Sequence, residues 1–247
     1  MRNAVISDTH KKPTNSLLPV EPMAVARYMD SRHDIQRWFL DGDIVGLWAG
    51  KSFADKERIW TRLKRRNPEW FEWLQRNCQS GRVVYIAGNH DQALLTDDLF
   101  HPVYDSFDYD DHGRRVHLEH GHAADWFNSD GRIVGRIVTY IGGWISRLPG
   151  VNKERLWRAG SRLFKPGRIQ SAERFRAYWL NEARVNGWDT IVTGHTHQEE
   201  ICATADGRVF ANAGTWINRF MLPMIVIDAG LPELEYVSTE AMSNDAD

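Results

Sequence analysis

The 247-residue sequence is short of cysteine, of net charge and of unbroken apolar runs, and each shortage closes off a class of function. Its two cysteines, Cys78 and Cys202, stand far apart in no metal-binding or redox spacing, which argues for packed thiols rather than a disulfide framework. Lys and Arg number 31 against 33 Asp and Glu, so the net charge of -2 gives no whole-molecule attraction to nucleic acid or to an anionic membrane. Any electrostatic argument has to be local. The best candidate for a membrane span, Ile133 to Ile145, is cut by Gly135, Arg136, Gly142 and Gly143 and falls short of the roughly 20 apolar residues that cross a bilayer. At the amino terminus, Met1-Arg2 passes straight into Asn3-Ala4-Val5-Ile6-Ser7, too short an apolar run for a secretory signal. A cytoplasmic protein without a transmembrane segment is expected, and no internal repeat or long low-complexity segment suggests otherwise.

What the chain does contain is a series of short apolar runs, each ending in a polar turn. Ala4-Val5-Ile6-Ser7 ends at Asp8-Thr9-His10; Trp38-Phe39-Leu40 leads into Asp41-Gly42-Asp43; Arg82 to Ala87 ends at Gly88-Asn89-His90-Asp91. A fourth run, Val116-His117-Leu118, feeds His120-Gly121-His122, and a fifth, Asp189 to Thr193, ends at Gly194-His195-Thr196-His197. Short β-branched runs bounded by such turns read as buried strands. Between them, Pro22 opens a helix, and the spacing of Ile59, Trp60, Leu63, Trp70, Phe71, Trp73 and Leu74 predicts two helices divided at Pro68. Strands are further expected around Phe107, Glu200 to Thr204, Val209 to Asn212 and Pro223 to Ile227, with a polar, acidic tail fraying after Val237. Strands with crossover helices followed by mostly strands argue for an α/β or α+β sandwich of two sheets with helices outside. Residues 1–247 are read as one domain, interrupted by a largely helical cap insertion over 124–186.

The turns carry the chemistry. Asp8, His10, Asp43, Asn89, His120, His195 and His197 offer two carboxylates, one amide oxygen and four imidazoles, a mixed set suited to divalent ions such as Mn, Fe or Zn. That is more than one ion needs. In Asp8-Thr9-His10 and His195-Thr196-His197, residues i and i+2 of an extended segment point to one side and can serve one site. Asp8, His10 and His197 are assigned to a first ion, Asn89, His120 and His195 to a second, and Asp43 to the bridge. Two ions about 3.5–4 Å apart can share a hydroxide as nucleophile and clamp phosphoryl oxygens for in-line attack. His90, adjacent to Asn89, is placed to stabilise or protonate the leaving oxygen, with Asp91 orienting it. His33, His101, His112 and His117 read as surface or packing residues, His122 as a neighbour of the ligands or of substrate, and Trp48 as core.

In order, these five segments resemble the signature blocks of the calcineurin-like metallophosphoesterase superfamily, over nearly the whole chain. The resemblance implies a four-layer αββα sandwich, a dinuclear centre often filled with manganese (Fe, Zn, Ni or Co being alternatives), and hydrolysis of phosphomonoesters or phosphodiesters. More loosely, Gly42-Asp43-Ile44-Val45-Gly46-Leu47-Trp48, the helical insertion and Gly214-Thr215-Trp216-Ile217 are similar to UDP-2,3-diacylglucosamine pyrophosphatases. That likeness implies a phosphodiester or pyrophosphate substrate such as a UDP-sugar lipid. The chain departs from those enzymes at His90, where they tend to carry Arg, and at His122, where Asp is common. Gly46 and Asp91 depart from the protein serine/threonine phosphatases.

The insertion is basic, with nine Lys or Arg against three Asp or Glu from Ala124 to Gln170, interleaved with Trp126, Trp144, Leu156 and Trp157. Such a segment could cover a lipid-linked phosphoester, rest peripherally on the inner membrane face, or pack as a solvated hairpin. Gripping a nucleic-acid backbone, as a nuclease would, is the less favoured use. A metallophosphoesterase-fold scaffold without catalysis is the remaining alternative, and the complete ligand set weighs against it.

Overall fold

The computed structural model describes residues 2–12, 18–47, 56–96, 100–124, 165–217 and 219–244; Trp48 and the insertion up to residue 164 lie outside them. The apolar run at the amino terminus becomes β1 (Arg2–Ile6), the centre of a sheet. On one side β1 pairs in parallel with β2 (Ile35–Asp41), and β2 with β3 (Val83–Ile86), in a register that aligns Val5 with Phe39 and Phe39 with Val84. A second sheet holds β4 (Ser106–Asp111), β5 (Arg114–Glu119), β6 (Thr190–Thr193), β7 (Glu200–Ala203) and β8 (Val209–Asn212) in the order β4-β5-β6-β8-β7. Here β5, β6 and β8 run parallel, while β4 and β7 are antiparallel edges. The first sheet is completed antiparallel to β1 by β9 (Met221–Asp228) and then β10 (Leu231–Ser238).

Alternation along β2 decides the layering. Trp38 and Leu40 face outward, where α1 (Pro22–Ser31), α2 (Lys56–Arg66) and α3 (Pro68–Gln79) bury Met29, Trp60, Leu63, Phe71 and Leu74 against them. Phe39 faces inward, in one cluster with Val5, Val84 and Ile225 of its own sheet and Val116, Leu118 and Val192 of the other. Its ring lies 5.6 Å from Phe107 and stacks 5.5 Å from Tyr109, both on β4. After a single turn of helix, α4 (Ala93–Thr96), the next α-helix among the described residues, α5 (Lys165–Asn186), covers the outer face of the second sheet with Phe175, Trp179 and Ala183 against Ile191 and Phe210. The layers are helices, sheet, sheet, helix, the expected αββα arrangement.

The break at Pro68 falls as expected: proline lacks the N–H to continue α2 and presets the first turn of α3. The carboxyl end differs. A strand not expected from the sequence, β10, follows β9, and a short α6 (Thr239–Asn244) carries order past Val237, where fraying was expected, with Met242 fully buried. Within β10, Glu235 meets Arg2 and Arg32. Cys78 and Cys202 are free thiols. Among the described residues no helix is long and apolar enough to cross a membrane.

Because Phe39 fills the space between the sheets, Phe39→Ala is expected to cost about 3–5 kcal/mol of stability. Urea denaturation would show this as a lower midpoint at unchanged slope.

Candidate metal centre

Each of the five polar turns follows the carboxyl end of a strand that has a parallel partner: β1, β2 and β3 in one sheet, β5 and β6 in the other. This is where ligand sites gather in α/β sheets. Five of the turn residues carry the left-handed backbone: Asp8 (φ 54°), His10 (46°), Asp43 (54°), His195 (69°) and His197 (60°). Short polar side chains tolerate that region better than most, and the fold holds it in place. Extended alternation was the expected route to convergence. Asp8 and His10 do meet, with Nε2 3.3 Å from Oδ1, but through left-handed turns.

Two poles result. At one, Asp8 Oδ1 lies 3.3 Å from His10 Nε2 and 2.9 Å from His197 Nε2. At the other, the His120 ring stands 5.3 Å from that of His195. Asp43 Oδ2 lies between, 3.6 Å from His10 Nε2 and 3.4 Å from His120 Nε2. Ligand atoms of Asp8, His10 and His197, of Asp8, Asp43 and His120, and of His10, Asp43 and His90 each gather within 4.8 Å of one another.

The donor chemistry fits divalent cations. His120 Nδ1 lies 2.9 Å from the Asp41 carbonyl and donates to it, so Nε2 is the nitrogen turned toward Asp43 and the one a cation would meet in place of a proton. That Nε2 and the Asn89 side-chain oxygen are buried without a hydrogen-bond partner, and such orphaned acceptors are uncommon unless something else is meant to meet them. Burial would raise the Asp8 carboxyl, but His197, His120 and His10 hold it well below the usual carboxylate range. Burial works against Asp43 likewise, and His90 and His120 outweigh it. Both groups are carboxylates ready to meet a cation.

The turns are pressed too close for side chains at their glycines. A Cβ on Gly42, itself at φ 74°, would come 2.3 Å from the His120 ring, and one on Gly194 would come 1.9 Å from Ser7 Oγ.

Asp91 gathers donors from two turns. Its Oδ1 accepts from the Gly88 amide at 2.6 Å, and its Oδ2 from the Ile44 amide at 2.9 Å and the Tyr85 hydroxyl at 2.7 Å. It therefore pins the Asp43 turn to the Asn89 turn, and the orientation of His90 is not among these bonds. The His90 amide donates to Asp43 Oδ1 at 2.8 Å, its ring lies 4.7 Å from that of His10, and burial pushes its imidazole down to about 3.

Several partners escaped the sequence reading. Ser7 Oγ lies 2.6 Å from Asp8 Oδ2, Thr215 Oγ1 donates to the Asp8 carbonyl, and Asn212 Nδ2 donates to the Gly194 carbonyl. Asp41, fully buried with both carboxylate oxygens unpartnered, is pushed up to about 8 by burial. None of these sits in a ligand-like spacing, and only their contacts with the turns betray them. Of the other histidines, His122 is buried with its ring 5.8 Å from that of His120, and His117 packs face to face on Trp188 at 3.6 Å.

Asp91→Ala would strand the amides of Asp43, Ile44, Val45 and Gly88 and the Tyr85 hydroxyl in the interior and is expected to lower stability by at least about 3 kcal/mol, at about 1–3 kcal/mol per buried group. His90→Ala, in a half-buried position, is expected to cost less than half as much in the same urea titration.

Comparison with known proteins bears on the whole chain. The profile of the family described as calcineurin-like phosphoesterase matches residues 1–199. No curated protein matches. Among solved structures, a dimetal phosphatase from Danio rerio superposes with a TM-score of 0.51 at 13% identity, covering 97% of this chain and 96% of that one. A predicted phosphoesterase from Streptococcus pneumoniae gives 0.45 at 13% identity, with 97% and 91% covered. Zinc-complexed Vps29 from Entamoeba histolytica gives 0.41 at 14%, with 97% and 99% covered. At 13% identity the Danio rerio structure speaks for the fold alone; the profile match spans well over half the chain, and on that ground the protein belongs to the calcineurin-like phosphoesterase family.

Proposed function

We propose that the chain hydrolyses a phosphodiester or pyrophosphate with two divalent ions, manganese foremost, held by Asp8, His10 and His197 on one side, by Asn89, His120 and His195 on the other, and by Asp43 in common. The observation that carries this reading is the position of Asp43 Oδ2 within 3.6 Å of His10 Nε2 and 3.4 Å of His120 Nε2, between two groups of ligand atoms. Bound ions would activate water at neutral pH and offset charge on the phosphoryl oxygens.

The chain's own residues then divide the remaining work. Asp43 and Asp8, ionised despite burial, balance the cations. The Asp41 carbonyl keeps His120 in the Nδ1–H tautomer. His90 stands at the edge of the first pole with a largely neutral imidazole, suited to lend an N–H to the leaving oxygen as charge builds there. Substrate choice, including a UDP-sugar lipid or a nucleic acid, rests on the likenesses set out above, and the basic insertion that would cover such a substrate lies largely outside the described residues.

Chelator-stripped protein is expected to be inactive, with Mn restoring turnover of bis(p-nitrophenyl) phosphate or a nucleoside diphosphate conjugate. No recovery with any divalent ion would refute the reading, and salt-sensitive cleavage of single-stranded DNA would shift it to a nuclease. Asp43→Asn is expected to lose both ions by elemental analysis. His90→Ala is expected to keep them while turnover falls about 10²–10³-fold, the effect of removing one aimed donor; loss of metal in that variant would make His90 a ligand.

A further inference from the structure

The ring of Phe175, on α5, is wedged between the fourth and fifth turns. It lies 6.3 Å from the His195 ring at an interplanar angle of 27°, within the range of an offset stack. On its other flank it meets Gly121, the residue between His120 and His122, so closely that a Cβ at that position would come 2.7 Å from Phe175 Cζ. Behind it, Phe210 at 6.2 Å and Trp179 at 6.3 Å hold the ring edge-on within a buried cluster. The next residue of the helix, Arg176, pairs with Glu200 just beyond His197. One turn of α5 thus touches two of the three turns that would supply the second ion, those of His120 and His195.

We infer that Phe175 is a positioning residue for His195, its flat face setting the angle at which that imidazole meets the second ion. A histidine on a left-handed turn has two side-chain torsions to fix, and His195 (φ 69°) meets the Phe175 face as one constraint on them. The inference rests on the reading of His195 as a ligand. It also makes α5, the last helix of the 124–186 segment, mechanically continuous with the centre: a shift of the helix alters the ring on which His195 leans.

The test compares Phe175→Leu, which keeps apolar volume without a flat face, with Phe210→Leu, which disturbs the same cluster away from the turns. Full-length proteins are loaded with Co(II), and the visible spectrum, the number of ions retained and their release to a chelator are recorded. Wild type is expected to hold two ions. Phe175→Leu is expected to release one of them about 10–100-fold faster, the usual cost of losing a ligand's support, with an altered spectrum, while Phe210→Leu follows wild type. Phe175→Met gives a second reading should the leucine variant fail to fold. Unchanged release in the Phe175 variants, or equal change in the Phe210 control, overturns the inference alone; a wild-type chain that holds fewer than two ions overturns it together with the proposed function.

Discussion

Val5, Phe39 and Val84 on one side and Val116, Leu118 and Val192 on the other hold the two sheets face to face, and with them the strand ends that carry every candidate ligand. Stacked sheets stand about 10 Å apart. Side chains reaching from both rims can just close that gap, which is why the poles form across the seam and Asp43, from the first sheet, meets His120, from the second, at 3.4 Å. Burial of apolar surface far from the centre thereby sets distances within it.

The geometry has a conformational cost. A residue held in a sparsely populated backbone region costs about 1–3 kcal/mol, and Asp8, His10, Asp43, His195 and His197 all adopt the left-handed form. Hydrogen bonds between turns oppose it: the His195 amide to Asp8 Oδ2 at 2.9 Å, the His90 amide to Asp43 Oδ1 at 2.8 Å, and the amides gathered by Asp91. Asp8 and Asp43 thus each have two tasks, to present charge and to hold a neighbouring turn.

Most of the architecture was legible because it follows from local rules. Short buried strands ending in Gly-Asp, Gly-Asn and Gly-His turns, and Pro68 dividing two amphipathic helices, need no long-range information. β10 was not legible, since Glu233 and Glu235 hide a strand whose partner is β9 and whose Glu235 meets Arg2 and Arg32. The seven candidate ligands could be picked out by residue type, whereas the backbone that carries them could not: extended alternation was expected, and Asp8, His10, Asp43, His195 and His197 take the left-handed form. Asp91 was legible as a member of the centre, whereas its bonds to the amides of Ile44 and Gly88, which tie two turns together, follow from the fold and not from its place beside a histidine.

The seam has one more implication. Asp8 and His197 lie 189 positions apart in the chain and 2.9 Å apart in space, on strand ends from different sheets. A cation shared by such residues acts as a rivet between layers, favouring the native state by RT ln(1 + [L]/Kd), about 2.7 kcal/mol per site when free metal is a hundredfold above Kd. On the proposed reading, metal supply would govern how long each molecule survives proteolysis as well as whether it turns over substrate, and a starved cell would clear the protein rather than merely idle it.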